Sequence, residues 1–279
     1  MKNNKNLSPT FPGQFSDWNL YGSPLRPCHQ DIAFLNNYLM QWRQNYQRSS
    51  IQSILLGVTP EIAEAFSKDK DQLTAVDISK KMIEKTWLGD TPNRTAIEGS
   101  WFNLPSKDNA VDVVLGDGIL SIINFPTDTM KLIKEAHRVL KKDGTLLLRC
   151  FCRPSQKESP TQVLSDLKAK KIGSFHAFKW RLMMALHEDD PINGIAVTKA
   201  WDWFHTTFPN EADFSSMTGW PIQVIDTIRV YQNNPSVYSF PSTKEINAEI
   251  SQYFECVNIE YGDYELADRC PTITLKPLK

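Results

Sequence analysis

Three short apolar runs in this chain each stop at residues able to do chemistry. Ile51–Leu56 runs into Gly57-Val58-Thr59-Pro60, Leu73–Val76 into Asp77, and Val111–Leu115 into Gly116-Asp117-Gly118. Gly57 permits close approach of backbone to a ligand. Thr59 adds a hydroxyl, and a helix opening at Pro60 offers free N–H groups and a positive end to a carboxylate or phosphate. Asp77 follows Gly57 by about twenty residues, the spacing at which an acid in dinucleotide-binding folds accepts both ribose hydroxyls. It could equally cap a helix, a job Ser79 could also fill. Ser100 and Trp101, within Glu98-Gly99-Ser100-Trp101-Phe102-Asn103-Leu104-Pro105, bring a hydroxyl and an indole that could hold a purine. Gly116-Asp117-Gly118 pairs close backbone approach with a carboxylate suited to a cationic centre. Together these residue types suggest a nucleoside-bearing cofactor.

The elements that must position them follow from periodicity. Short apolar runs bounded by turn residues read as buried strands. Helical spacing separates them, in Gln30–Arg48, from Pro60 through Ile62 to Phe66, and in Ser79–Trp87. A short strand is expected near Thr95–Ile97. Thr127–Leu140 is an amphipathic helix with Met130, Ile133, Ala136, His137 and Leu140 on one side, Asp143-Gly144 stops it, and Thr145–Phe151 is the next strand. This alternation predicts an α/β fold, a parallel sheet with helices on both faces. Ligands of such sheets bind beyond the carboxyl ends of the strands, where the three stops lie.

Residues 1–48 read as an N-terminal arm and helix, the arm irregular apart from a short helix around Phe15–Tyr21. Residues 49–153 and 241–279 read as the core. The stretch 154–240 carries helical patterns, prolines, Trp180, Trp201, Trp203 and Trp220, and reads as a helical substrate or lid insertion. Helix Thr243–Phe254 and strands Cys256–Tyr261 and Pro271–Leu275 close the chain, the two strands as a hairpin at one sheet edge.

The 279 residues are 41% hydrophobic and 23% charged with formal net charge −1, a balance that gives no support for nucleic acid or a membrane surface as main partner. The N-terminal MKNNKNLSPTFPGQF lacks the apolar segment of a secretory signal. Five cysteines, Cys28, Cys150, Cys152, Cys256 and Cys270, fit free thiols in a reducing cytoplasm, and C-x-C alone is a weak metal signal. No metal is expected.

ILLGVTPEIAEAF, LTAVDISKKMI, IEGSWFNLPSKDNAVDVVLGDG and IKEAHRVLKKDGTLLLRCF resemble, in order and spacing, the successive motifs of class I S-adenosylmethionine-dependent methyltransferases. Lys142 and Asp143 stand where that family usually has proline and glycine. CVNIEYG and CPTITL are similar to its antiparallel last pair of strands. The resemblance implies a Rossmann-like, mostly parallel seven-stranded sheet and S-adenosylmethionine as cofactor. It implies that Gly57 and Thr59 lie against the methionine part, Asp77 on the ribose, Ile78, Ser100 and Trp101 about the adenine, and Gly116, Asp117 and Gly118 beside the sulfonium. Gly57-Val58-Thr59-Pro60-Glu61 departs from the family's three glycines, and the arm compensates in this reading: Arg26 pairs with the methionine carboxylate and Tyr21 closes over it.

The acceptor is expected between the strand ends and the insertion. His176, Trp180 and Trp201 are its leading candidates, among Phe178, Arg181, Met183, His187, Trp203 and His205. Phe178, Leu182 and Ala185 share one side of a helix, and Trp180, Met183, Met184 and His187 another, so spacing singles out no pocket face. Core packing is the plain alternative for each. The run His187-Glu188-Asp189-Asp190 is expected to be solvated. The expected activity is methyl transfer to a small-molecule oxygen or nitrogen acceptor. The alternatives are a protein or RNA methyltransferase, expected to show an open charged groove, and a non-catalytic S-adenosylmethionine-binding protein. Catalytic residues and oligomeric state are not legible.

Overall fold

The structure, a computed structural model, describes residues 17–66, 70–189 and 192–279. Residues 1–16, with Phe15 of the expected short helix and the MKNNKNLSPTFPGQF segment, lie outside the described residues, as does Asp190. The described chain opens with a 3-10 turn, Trp18–Leu20, and then runs α1 (His29–Tyr46), β1 (Gln52–Leu56), α2 (Pro60–Ala65), β2 (Gln72–Asp77), α3 (Lys80–Thr86), β3 (Arg94–Glu98) and β4 (Val111–Asp117). It continues with α4 (Thr127–Val139), β5 (Leu140–Arg149), α5 (Pro160–Lys168), α6 (Phe175–Leu186), β6 (Ile195–Ala196), α7 (Val197–Thr207), α8 (Glu211–Thr218) and α9 (Ile222–Ile225). Last come β7 (Val237–Tyr238), α10 (Thr243–Ile250), β8 (Phe254–Glu260) and β9 (Thr272–Pro277).

Seven strands form one sheet in the order β3-β2-β1-β4-β5-β9-β8. The first five are parallel, and β9 is antiparallel to both β5 and β8. This is the mostly parallel sheet with an antiparallel terminal pair that the sequence implied. Side chains alternate between two buried layers. Leu55, Ala75, Val113, Leu115 and Leu147 pack with α1 and α2, whereas Ile54, Leu56, Val76, Val114, Leu146 and Leu148 face α4 and α6. Burial on both faces is why these strands read as unbroken apolar runs.

The strand order reverses between β1 and β4, where Leu56 pairs with Gly116. Register then sets the functional residues in a row. Leu56 lies beside Val76, Asp77 beside Glu98, and Asp117 beside Arg149. The crevice at such a reversal is where ligands of open α/β sheets bind.

Three local readings differ from expectation. Asp143-Gly144 falls inside β5: Val111 pairs with Leu140 and Val113 with Thr145, so the intervening residues bulge out of the ladder. Lys141 of that bulge bonds Asp112 at 2.7 Å. The buried stripe of α4 is Thr129, Leu132, Ile133, Ala136 and Val139, with Met130 and His137 only partly buried at its margins. The small β6–β7 ladder joins strands of two residues each, too short to carry a period-two signal.

A buried ion network ties the arm to the sheet. The Arg149 guanidinium donates from Nε to Asp117 Oδ1 at 2.6 Å and from Nη1 to Pro24 O at 2.9 Å, and Nη1 lies 3.8 Å from Asp31 Oδ2. Asp31 in turn accepts from Cys28 N–H at 2.8 Å, within the capping box that opens α1, and from the Tyr264 hydroxyl at 3.0 Å. Removing one partner of a buried charge network leaves the others unpaired. Arg149→Leu is therefore expected to cost about 3–5 kcal/mol of stability, read as a lower urea midpoint; an unchanged midpoint would show the network to be dispensable.

Candidate active site

The strand ends, the arm and α6 line one cleft, at the strand-order reversal where ligands of open α/β sheets bind. Gly57 adopts φ +97°, where a side chain would be strained, and a Cβ there would meet Asp77 Oδ2 and the Trp101 ring, each at 3.9 Å. Its N–H donates to Val76 O at 2.8 Å, and the Trp101 indole N–H donates to the same carbonyl at 2.7 Å. Gly57, Asp77 and Trp101 thus converge. Ser79, not Asp77, caps α3: its Oγ accepts from Met82 N–H at 3.2 Å. Asp77 Oδ1 accepts from Ser79 N–H at 2.8 Å, and burial pushes the Asp77 carboxyl up to about 6 although that bond favours its charge. Met82 and Thr86 of α3 also line the cleft.

At the other end, Asp117 and Gly118 line the cleft beside Ile119, Ser121, Ile122 and Phe151. Gly118 has φ +65°, and a Cβ on it would fall 2.6 Å from the Phe151 ring. The Asp117 carboxylate does not await an outside cation unaided, because Arg149 already holds it. The arm reaches the same cleft through Trp18, Tyr21 and Leu25. Arg26 does not line it. Its Nε donates to Glu61 Oε1 at 2.6 Å, its Nη1 to Trp18 O at 3.2 Å, and the guanidinium sits 5.3 Å from the Trp18 ring centre. Trp18 Nε1 donates to the same Glu61 oxygen at 3.2 Å. Glu61 lies in the first turn of α2, a helix of six residues that Pro60 opens without an N–H, so an acid of the chain itself stands where a ligand carboxylate was expected. Thr59 lines the cleft, while Ile78 and Ser100 do not. Ser100 Oγ accepts from Phe102 N–H at 3.2 Å.

Residues 56–148 match the family model described as a methyltransferase domain, from the last residue of β1 to the residue before Arg149. That stretch of the chain is a methyltransferase domain, in line with the class I S-adenosylmethionine-dependent methyltransferases that its motifs resemble. No curated protein sequence matches it. Among solved structures, a protein named as a Zn-dependent alcohol dehydrogenase from Rhodobacter sphaeroides is similar with TM-score 0.59 and 12% identity, over 94% of this chain and 96% of that one. The N-methyltransferase NodS from Bradyrhizobium japonicum WM9, in complex with S-adenosyl-L-homocysteine, is similar with TM-score 0.50 and 9% identity, over 96% and 95%. The PH0226 protein from Pyrococcus horikoshii OT3 gives 0.50 and 13%, over 89% and 92%. At these identities the likeness shows a shared fold alone. Among the described residues of this methyltransferase, no group of three or more His, Cys, Asp or Glu is placed to hold a metal ion.

Of the leading acceptor candidates in the methyltransferase, only Trp180 lines the cleft. His176 is buried beneath the arm, its Nε2 2.8 Å from Leu20 O and its ring stacked on Tyr21 at 5.6 Å. Trp201 packs against His205 at 3.7 Å, away from the cleft. Phe178 and Met183 are core, Arg181 bonds Glu158 and Asp166, and His187 Nε2 accepts from Phe240 N–H at 3.2 Å. His187 is thus buried, whereas Glu188 and Asp189 are exposed as expected. The α6 helix is buried nearly all round, which erases the one-sided stripe that would have marked a pocket face. Its Lys179 was not singled out by sequence, and it is the more unusual residue. The ammonium is fully enclosed, 5.4 Å from the ring centres of Tyr21 and Tyr231 and 5.7 Å from that of Phe175, with Nζ donating to Thr227 Oγ1 at 3.3 Å. Such rings favour charge, yet burial wins and pulls the lysine down to about 7.

This carries a stability prediction. The unfolded lysine titrates near 10.5, so between about pH 7 and 10.5 the unfolded chain holds the extra proton and stability rises with pH. Burial first, and then Lys179, pull His176 down to about 3 from 6.5, adding the same slope between those values. Lys179→Met is expected to raise the melting temperature by a few degrees at pH 7 and to flatten the rise above it. A lower melting temperature for that variant would mean that the rings stabilise the charge after all.

Proposed function

We propose that the cleft binds S-adenosylmethionine and that the chain transfers its methyl group to the oxygen or nitrogen of a small molecule. The observation that carries the donor reading is Asp77. This half-buried carboxylate has no ion-pair partner among the described residues, and one of its oxygens and the Trp101 ring both lie close to Gly57. Ribose hydroxyls would supply the donors it lacks. In this reading Gly57 and Thr59 hold the methionine part, Trp101 and Met82 bound the adenine, and Asp117 with Gly118 fix the wall beside the reacting carbon. The cofactor supplies an electrophilic methyl carbon on a positively charged sulfur.

The chain's own contribution is placement. Asp117 is tied to Arg149 and His176 does not line the cleft, so neither is poised to take a proton from the acceptor. With the donor bound, the acceptor's lone pair would form the new bond to carbon, the carbon–sulfur pair would stay with sulfur, and the acceptor's proton would pass to solvent. Alignment of the reacting groups in a site walled by Tyr21, Phe151 and Trp180 then provides the acceleration. A narrow aromatic cleft roofed by the arm supports a small acceptor over a protein or RNA strand, which needs an open charged groove. The five unpaired cysteines accord with a reducing, cytoplasmic setting.

Calorimetric titration tests the donor reading. Asp77→Asn should weaken S-adenosylmethionine binding by about 10- to 100-fold, because hydrogen bonds to a charged group are lost. The ionised acid is the better acceptor and its pKa is raised to about 6, so wild-type affinity should fall as pH drops through that value and stay flat in the variant. Equal affinities in the two proteins would refute the ribose assignment.

A further inference from the structure

We infer that the methyl acceptor is a neutral, flat and mostly apolar molecule that offers one hydrogen-bond-accepting oxygen or nitrogen to Trp180; this rests on the donor reading above. Trp180 is 1% exposed and lines the cleft, yet its Nε1 has no hydrogen-bond partner among the described residues. Its ring is locked edge-on against Phe151 at 5.3 Å, Phe240 at 5.6 Å and Tyr238 at 6.1 Å. The indole cannot turn to find a partner within the protein. A buried N–H left unpaired at the wall of a ligand cleft marks where a ligand atom completes it.

A second orphan stands on a different element. Ser121, in the 3-10 turn Ile119–Ser121 that follows β4, is 1% exposed and lines the same cleft, and its Oγ is also without a partner. Its backbone is pinned, the carbonyl accepting from Ser239 N–H at 2.9 Å and the N–H donating to Gly118 O at 3.1 Å. The turn and α6 thus each bring to one cleft a residue whose buried polar atom is unsatisfied among the described residues.

Charge narrows the class. Among the described residues, the acids lining the cleft are Asp77, assigned to the ribose, and Asp117, bonded to Arg149, and no lysine, arginine or histidine lines it. Lys179 faces the rings of Tyr21, Phe175 and Tyr231 instead, and Arg26 is spent on Glu61. An anionic acceptor would find no cation among the described lining residues, and a cationic one would find Asp117 already paired. Either would be buried at a loss. The remaining walls, Tyr21, Phe151 and Trp180, favour a flat ring.

The test uses the full chain saturated with S-adenosyl-L-homocysteine and calorimetric titration of four naphthalenes of similar shape: naphthol, methylnaphthalene, naphthoate and protonated naphthylmethylamine. Naphthol should bind about tenfold more tightly than each of the others, the scale of one net hydrogen bond. In Trp180→Phe its preference over methylnaphthalene should vanish. If the homocysteine compound does not bind, the donor reading falls and this inference with it. If it binds but a charged naphthalene binds as well as naphthol or better, or none binds, the acceptor inference alone is overturned. Retention of the naphthol preference in Trp180→Phe would remove Trp180 from the assignment.

Discussion

The fold turns on one buried guanidinium. Arg149 ends the fifth parallel strand and is 5% exposed, with Asp117 on the neighbouring strand and Asp31 at the start of the first helix. A cation so far from water persists only with close counter-charge, and the two acids come from segments far apart in sequence. The arm is held by the same group, through Pro24 O. One charge thus fixes strand register, the docking of the arm, and the electrostatic state of the acid at the cleft wall.

That last effect shapes the chemistry. With Asp117 engaged, Asp77 is the one cleft-lining carboxylate without an ion-pair partner among the described residues, and the walls about Trp180 are aromatic. Under the proposed function, donor and acceptor recognition are therefore written in different physical terms, charge-assisted hydrogen bonds at Asp77 and ring contact about Trp180. The first-motif departure fits this division. Glu61, next to Pro60 in the segment that departs from the family's three glycines, recruits Arg26 and Trp18 into the roof instead of leaving that helix end open.

Much of the scaffold was legible because its signals are local. Strands buried on both faces appear as apolar runs, and glycine or aspartate at their ends marks the crevice. Asp31 and Arg149 were not legible: they lie 118 positions apart, and nothing near either one says that it is buried. Arg26 looked available because its partner Glu61 reads as an ordinary helix acid. Lys179 hid for a different reason. A helix enclosed on all sides has no polar face against which a buried charge stands out. The bulge in β5 was missed because Asp143-Gly144 carries the composition of a turn, and only strand pairing shows that the ladder resumes across it.

The roof over the cleft also has a history in time. Leu20 meets His176 across 156 residues, and Asp31 meets Tyr264 across 233. During synthesis the arm leaves the ribosome early, while the side chains that seat it are made late. The sheet's first four strands can pair beforehand, since their neighbours are close in sequence. Contacts of such long separation come at a steep entropic cost and form after local ones. The contacts that seat the arm over the cleft are thus expected to form late, after the strands have paired.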